Sequence, residues 1–189
     1  MKSDRATYER AARAYEKKAI GVGRVLHGLC EQYPDHSDSI GVYTKLVVIG
    51  RTYASGIERH ILSDTTQGSA LNQLHALFWK DRRSIDRALA PLRQLREPLT
   101  AAQLPVILKA HADLLGFLDK LARGSNSPRS FVSKYLHFHC PAVPIYDSNA
   151  KEALKALFPR QRFADAEVKH SADSDPQYAR FVLLFWKLH

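Results

Sequence analysis

Apolar residues recur every three or four positions along most of the chain, which is the spacing of an amphipathic helix. Seven segments carry this pattern and are predicted to be helical: residues 8–30, 42–57, 71–79, 100–124, 127–140 and the stretches that follow Asp147 and Asp175. The first segment is one long helix or two short ones, because Gly21 and Gly23 can interrupt it. No repeat, low-complexity tract or linker divides the sequence. We therefore expect an all-α fold of about seven or eight helices, compact and with a cleft between helical subdomains, in a single helical domain over residues 1–189.

Helix boundary signals are clearest on either side of one aromatic segment. Ser127 can cap free amide groups and Pro128 fits the first helical position, so a helix is predicted to begin there. It is predicted to end near Cys140, because Pro141 stops a helix and Pro144 keeps the following connection extended.

Lys134 and Asp147 are the candidate catalytic residues. Lys134 shares a helix face with Phe131 and Phe138, and an ammonium packed against such groups is partly desolvated, which lowers its pKa and favours the nucleophilic amine. Asp147 is predicted to lie at or just before the start of the next helix, where free amides stabilise a carboxylate. Such a pair suits base excision, since the carboxylate stabilises positive charge on the sugar and the amine can form a Schiff base with it. The plainer interpretation is a solvated lysine and a structural helix cap.

The stretch RSFVSKYLHFHCPAVPIYDSNAKEAL, residues 129 to 154, resembles the lysine-bearing helix and following aspartate of the helix-hairpin-helix DNA glycosylases, in particular their 8-oxoguanine glycosylase-like branch. The resemblance is weaker around residues 44–60 and 175–189. It implies a glycosylase-like fold in which Lys134 is the nucleophile and Asp147 is the electrostatic or proton-transfer partner. Where that family has a Gly-x-Gly hairpin, this chain has only Gly124, which predicts a compressed or missing hairpin.

The loop before the lysine-bearing helix is the candidate DNA-binding element. A remnant of the hairpin would bind a phosphate through backbone amides near Asn126, Ser127 and Ser130, with help from the side chain of Arg129. An ordinary connection between two helices is the alternative.

Three further residues, Arg51, Tyr53 and Trp79, are candidate contacts to a base or phosphate, with surface contacts and core packing as their plainer roles. His137 and His139 are two positions apart and point in different directions on a helix, which makes a poor metal site. With two cysteines in the chain, a four-cysteine iron–sulfur cluster is excluded. We therefore expect no metal and no organic cofactor.

The charge balance indicates a polyanionic partner. The chain has 28 Lys and Arg residues against 19 Asp and Glu residues, for a formal net charge of +9. Such a balance favours DNA, because bound lysines and arginines release counterions from phosphates, although a generally basic soluble protein would share it. The amino end leads into a charged amphipathic helix, and no apolar run approaches the about 20 residues needed to cross a membrane. We therefore expect a cytoplasmic protein without membrane association.

Together these features predict a DNA glycosylase that excises a damaged or modified base, with AP lyase activity through a Lys134 imine. The family resemblance alone implies 8-oxoguanine as the first candidate base. Two alternatives remain open. One is a noncatalytic nucleic-acid-binding protein on the same scaffold, and the other is a helical interaction protein, such as an antitoxin or a phage-defence component. The feature that distinguishes the glycosylase from these alternatives is whether Lys134 and Asp147 converge in an accessible pocket.

Overall fold

A computed structural model describes residues 21–52, 57, 69–96, 98–119, 127–158 and 174–188. Helices are the only regular secondary structure within these residues, which confirms the predicted all-α class. The predictions for Tyr53 and Asn126 fall outside the described residues.

Eight α-helices lie in the described part of the chain. They are α1 (residues 21–32), α2 (Ser39–Thr52), α3 (Ala70–Lys80), α4 (Arg82–Leu89), α5 (Leu104–Asp119), α6 (Arg129–His139), α7 (Ser148–Leu157) and α8 (Pro176–Trp186). Two 3-10 helices, Ala90–Gln94 and Ala101–Gln103, lie between α4 and α5. The pattern predicted each of these helices except α4, which lies between the predicted segments 71–79 and 100–124.

Side chains that accept from backbone amides set several helix starts. Ser69 accepts from the Asn72 amide at the start of α3, and Asp175 accepts from the Tyr178 amide at 2.8 Å at the start of α8. The predicted cap at Ser127 is wrong. Pro128 is the N-cap residue of α6 and makes no side-chain cap, while the Ser127 hydroxyl donates to Asp119 at 3.1 Å.

Helix α6 lies in the centre of the core, where it packs against α2 and α5. Phe131, Val132, Tyr135 and Leu136 on this helix are fully buried. Such burial on several faces is what its nearly continuous aromatic and apolar sequence requires.

Helix α8 covers the core from another side and packs against α5 and α7. Its Tyr178 ring stacks on the buried His111 ring of α5, with ring centroids 3.6 Å apart. Phe181 and Val182 on this helix are buried, whereas Leu188, beyond the end of α8, is 49% exposed.

The stretch Ala101–Asp119 is long and apolar enough to cross a membrane by length and composition, which corrects the expectation that no run approaches that length. It forms the second 3-10 helix and α5, and 44% of it is buried inside the fold. The core helix of a soluble protein meets the same criteria, so this stretch does not establish a membrane segment.

Candidate functional site

Lys134 lies on α6 with only 5% of its surface exposed. Phe131 and Phe138, one turn before and after it, are also buried. Burial lowers the pKa of the Lys134 ammonium, and the negative charge of Asp147 opposes that shift. The neutral form of the Lys134 amine therefore costs less free energy to reach than that of a surface lysine. Asp147 lies within electrostatic reach of this amine.

Asp147 is the N-cap residue of α7 and accepts a hydrogen bond of 2.8 Å from the Ala150 amide, as the sequence predicted. It also lines a cavity of about 810 Å³. The walls of this cavity are largely apolar, with Leu99, Pro141 and Phe185 among them. The Asp147 carboxylate thus has two environments, a helix end that orients it and an apolar cavity.

Lys134 is not among the described residues that line this cavity, although His137, one helical turn further along α6, does line it. The structure therefore brings Lys134 and Asp147 within electrostatic reach of each other, but of the two only Asp147 lines the cavity.

Three side chains hold the connection between α6 and Asp147 in place. The Ser133 hydroxyl accepts from the Tyr146 amide at 2.9 Å, and Nδ1 of His137 donates to the Val143 carbonyl at 2.8 Å. The Tyr178 hydroxyl donates to the carbonyl of Pro144 at 2.9 Å. Since a carbonyl can only accept, His137 carries a proton on Nδ1. The position of Asp147 is therefore fixed by α6 and α8 together.

Arg129 has a different neighbour from the one that the sequence suggested. Its Nε and Nη2 atoms donate to both carboxylate oxygens of Asp175 at 2.8 Å, which ties the start of α6 to the start of α8. Burial tends to raise the pKa of Asp175, but the hydrogen bonds from Arg129 and from the Tyr178 amide outweigh it, so this pKa is lowered. The role of Arg129 in phosphate binding stays a prediction, and it would have to coexist with this clamp.

The other predicted DNA contacts lie apart from the cavity walls. The Ser130 carbonyl accepts from the Ser133 hydroxyl inside α6, and Arg51 is exposed in the last turn of α2. Trp79 packs against the core, and the guanidinium of Arg82 lies 4.6 Å from the centre of its ring. One face of that ring therefore already has a cationic neighbour.

Sequence reasoning missed a group of polar residues on another side of α6. We call it the polar network: His36, Lys45 and Tyr135, which are fully buried, with Asp86 and His139, which are partly buried. Nδ1 of His36 lies 2.7 Å from Asp86 and its Nε2 lies 2.7 Å from the Tyr135 hydroxyl. With the Asp86 carboxylate accepting from Nδ1–H, the Tyr135 hydroxyl donates to Nε2 and every polar atom in this chain of contacts has a partner.

Lys45 is fully buried at the other end of this network. Its ammonium donates to the carbonyls of Tyr33 and Asp35 at 2.9 and 3.1 Å, and it lies 3.4 Å from Nε2 of His139. Burial lowers the pKa of Lys45 to about 8. The pKa of His36 is lowered to about 4, and that of His139 is also lowered, by burial first and by the charge of Lys45 second.

The signal for Lys45 was present in the sequence. It lies three positions after Val42 and four before Ile49, which are both fully buried, so it occupies the apolar face of α2. The same reasoning singled out Lys134, and it applied equally to Lys45.

The described residues hold no cluster of three or more His, Cys, Asp or Glu side chains that could bind a metal ion. Comparisons of the chain with protein-family models, with curated proteins and with solved structures find no match. The chemistry of the site therefore rests on the residues described above.

Proposed function

We propose that this protein is a DNA glycosylase that excises a damaged or modified base, with 8-oxoguanine as the first candidate, and that it cleaves the strand through an imine on Lys134. The observation that carries the proposal is a nearly buried lysine of lowered pKa on which the charge of Asp147 acts, while Asp147 itself lines an apolar cavity. Resemblance of residues 129–154 to a glycosylase segment points the same way.

Each of the two residues has one role in the proposed reaction. As the bond between the base and C1′ of the sugar breaks, its electron pair leaves with the base and positive charge develops on the sugar. The Asp147 carboxylate stabilises that charge, and the neutral amine of Lys134 forms a new C–N bond to C1′. The sugar ring then opens to an imine as a proton passes from the amine to the ring oxygen. Loss of a C2′ proton to solvent completes an elimination in which the C3′–O bond breaks, and the 3′ phosphate group leaves with the oxygen and the electron pair of that bond.

The cavity beside Asp147 suits a flat heterocyclic base. Its volume of about 810 Å³ is within the range of small-molecule sites. Pro141 and Phe185 offer apolar walls, while His137 and Asn149 provide polar groups that can distinguish one base from another. A base can reach this cavity only after it has been flipped out of the duplex.

One observation favours a second candidate, a noncatalytic nucleic-acid-binding protein on the same scaffold. Lys134 is 5% exposed and is not among the described residues that line the cavity. Attack on a sugar would require the amine to reach the cavity wall when DNA binds. A protein that only binds DNA would have no such requirement.

Borohydride trapping tests the proposed function, because borohydride reduces the imine to a stable amine bond between protein and DNA. We expect an adduct with a duplex that contains 8-oxoguanine or an abasic site, and complete loss of the adduct in Lys134→Gln. Lys45→Gln is the matched control, since it removes another buried lysine of lowered pKa and keeps two N–H donors for the Tyr33 and Asp35 carbonyls. It should still form the adduct.

Circular dichroism and DNA affinity establish that both variants remain folded. An adduct formed by Lys134→Gln at the wild-type rate would overturn the assignment of the nucleophile. If the wild type binds duplexes but forms no adduct with any modified base, the noncatalytic candidate replaces the enzyme.

A further inference from the structure

The most basic segment in the described chain extends from Lys80 to Arg96 and contains six cationic residues against two aspartates. Five of the six are arginines, which we call the arginine surface: Arg82, Arg83, Arg87, Arg93 and Arg96. Arg82 is half-buried and the other four are exposed. They lie on α4 and on the first 3-10 helix and the short segment after it, and Arg83 and Arg87 are one helical turn apart on α4.

Within the residues that the structure describes, no member of the arginine surface pairs with a carboxylate. Four of the five guanidiniums donate hydrogen bonds of 2.7 to 3.0 Å to neutral acceptors, namely the carbonyls of Pro34, Trp79, Arg93 and Leu95 and the hydroxyl of Ser84. A guanidinium has five N–H donors, so one or two such bonds orient it and leave most donors available.

Other cations of this protein differ in that respect. Arg129 gives two hydrogen bonds to Asp175, and Lys109 lies 3.0 Å from Asp113. Asp86 lies within the basic segment, but its carboxylate contacts His36 rather than an arginine. Among the described residues, the arginine surface is therefore an oriented array of positive charge without an ion pair, in which the charge of Arg93 helps to lower the pKa of Asp35 from a longer distance.

The arginine surface ends beside the cavity that Asp147 lines. Pro98 and Leu99 line that cavity, and Arg96 lies two residues before Pro98 in the sequence. Two residues of extended chain span at most about 7 Å between Cα atoms, which is about the length of an arginine side chain. A nucleotide that enters the cavity would thus bring its neighbouring phosphates within reach of Arg96 and of Arg93 behind it.

We infer that the arginine surface binds the phosphate backbone of the nucleic acid whose base enters the cavity. This inference rests on the proposed function and names the surface that supplies its affinity for DNA. The planar guanidinium fork matches two phosphate oxygens at once, which explains why arginine rather than lysine dominates here.

The same surface fits an anionic membrane poorly. Peripheral membrane binding combines basic residues with exposed apolar side chains that enter the lipid boundary. In the described residues, the exposed large apolar side chains are Val22, Val25, Ile40, Tyr43 and Leu188. None of them belongs to the segment from Lys80 to Arg96.

The salt dependence of DNA binding tests this inference. Affinity for a short fluorescent duplex is measured by anisotropy at several salt concentrations for the wild type and for Arg83→Gln/Arg87→Gln, whose exposed sites tolerate glutamine in a helix. The slope of log affinity against log salt should decrease in magnitude by roughly 1.8, since each lost phosphate contact removes about 0.9. Affinity at low salt should fall as well.

Arg24→Gln/Lys155→Gln is the matched control, because it removes the same charge from exposed positions on α1 and α7. It should leave the slope nearly unchanged. Equal effects of the two double variants, or a wild-type slope in Arg83→Gln/Arg87→Gln, would overturn the inference. So would binding of the wild type to phosphatidylserine vesicles in the absence of any binding to the duplex.

Trapping separates this inference from the proposed function. If Arg83→Gln/Arg87→Gln keeps the wild-type salt slope while borohydride still traps an adduct through Lys134, the inference that the arginine surface binds phosphates is wrong. The proposed glycosylase function is then retained. If neither the wild type nor any variant forms an adduct but the slope depends on Arg83 and Arg87, the proposed glycosylase function is wrong. The inference that the arginine surface binds phosphates is then retained.

Discussion

Two lysines are buried in the described part of the chain, and their surroundings differ in one decisive way. Lys45 is fully buried, with its ammonium against two backbone carbonyls and His139. Lys134 is nearly as buried, but the charge that acts on it is Asp147, which lines an apolar cavity. Burial lowers the pKa of both lysines.

The comparison shows that a lowered lysine pKa does not by itself identify a catalytic group. Structural networks perturb pKa values for the same physical reason as active sites do. Carboxylates act on both lysines, Asp86 and Asp35 on Lys45 and Asp147 on Lys134. What separates the two lysines is the cavity, because a carboxylate that lines it can also stabilise charge on a bound substrate.

The largest expected effect is on the pH dependence of the free energy of unfolding. It concerns buried histidines, among them His36 in the network around Lys45. Burial lowers the pKa of His36 to about 4 and that of His111 to about 3, so the unfolded chain takes up protons below about pH 6.5 while the folded protein does not. The contribution of each neutral histidine to the free energy of unfolding is therefore fully present above that pH. As the pH falls toward 4 the free energy of unfolding decreases, by on the order of 3 kcal/mol for each histidine.

Urea unfolding at about pH 7 and about pH 4.5 measures this loss. In His36→Gln the loss should shrink, because about one proton fewer is taken up on unfolding. A free energy of unfolding that is flat between these two pH values would contradict the assignment of neutral, buried histidines.

The next effect concerns the site. Asp147→Asn should lower the rate of base excision by about 100-fold or more, because it removes a preorganised negative charge while asparagine still caps α7. Single-turnover excision from a lesion-containing duplex gives the rate. Asp175→Asn, which changes the cap of α8, is the control and should excise at close to the wild-type rate per folded molecule. Equal loss in both variants would indicate damage to the fold rather than to the chemistry.

The smallest expected effect tests whether the network around His36 and the site at Lys134 act independently. Tyr135→Phe keeps the aromatic ring and removes the hydroxyl that bonds Nε2 of His36, so the free energy of unfolding should fall by about 1–2 kcal/mol. Tyr135 and Lys134 are about 100° apart around α6, so borohydride trapping per folded molecule should not change. A large loss of trapping at unchanged stability would mean that the network and the site act as one unit.

Much of the local structure followed from the sequence alone. Helix periodicity predicted α6 and its end before Pro141, and the Asp147 cap followed from the extended segment before an apolar helical run. Each of these features depends on residues within a few positions of one another, which is the range over which side-chain spacing and capping act. The sequence likewise singled out Lys134 as a lysine on an apolar helix face.

Only the tertiary structure decided which partners these residues have. Arg129 meets Asp175 from 46 positions away, and His36 meets Tyr135 from 99 positions away. No periodic pattern encodes such pairs, because they depend on how helices pack against one another rather than on the preferences of either helix. The same packing placed Lys45 beside carbonyls and Asp147 beside a cavity, and so it decided which of two similar buried lysines is the candidate for chemistry.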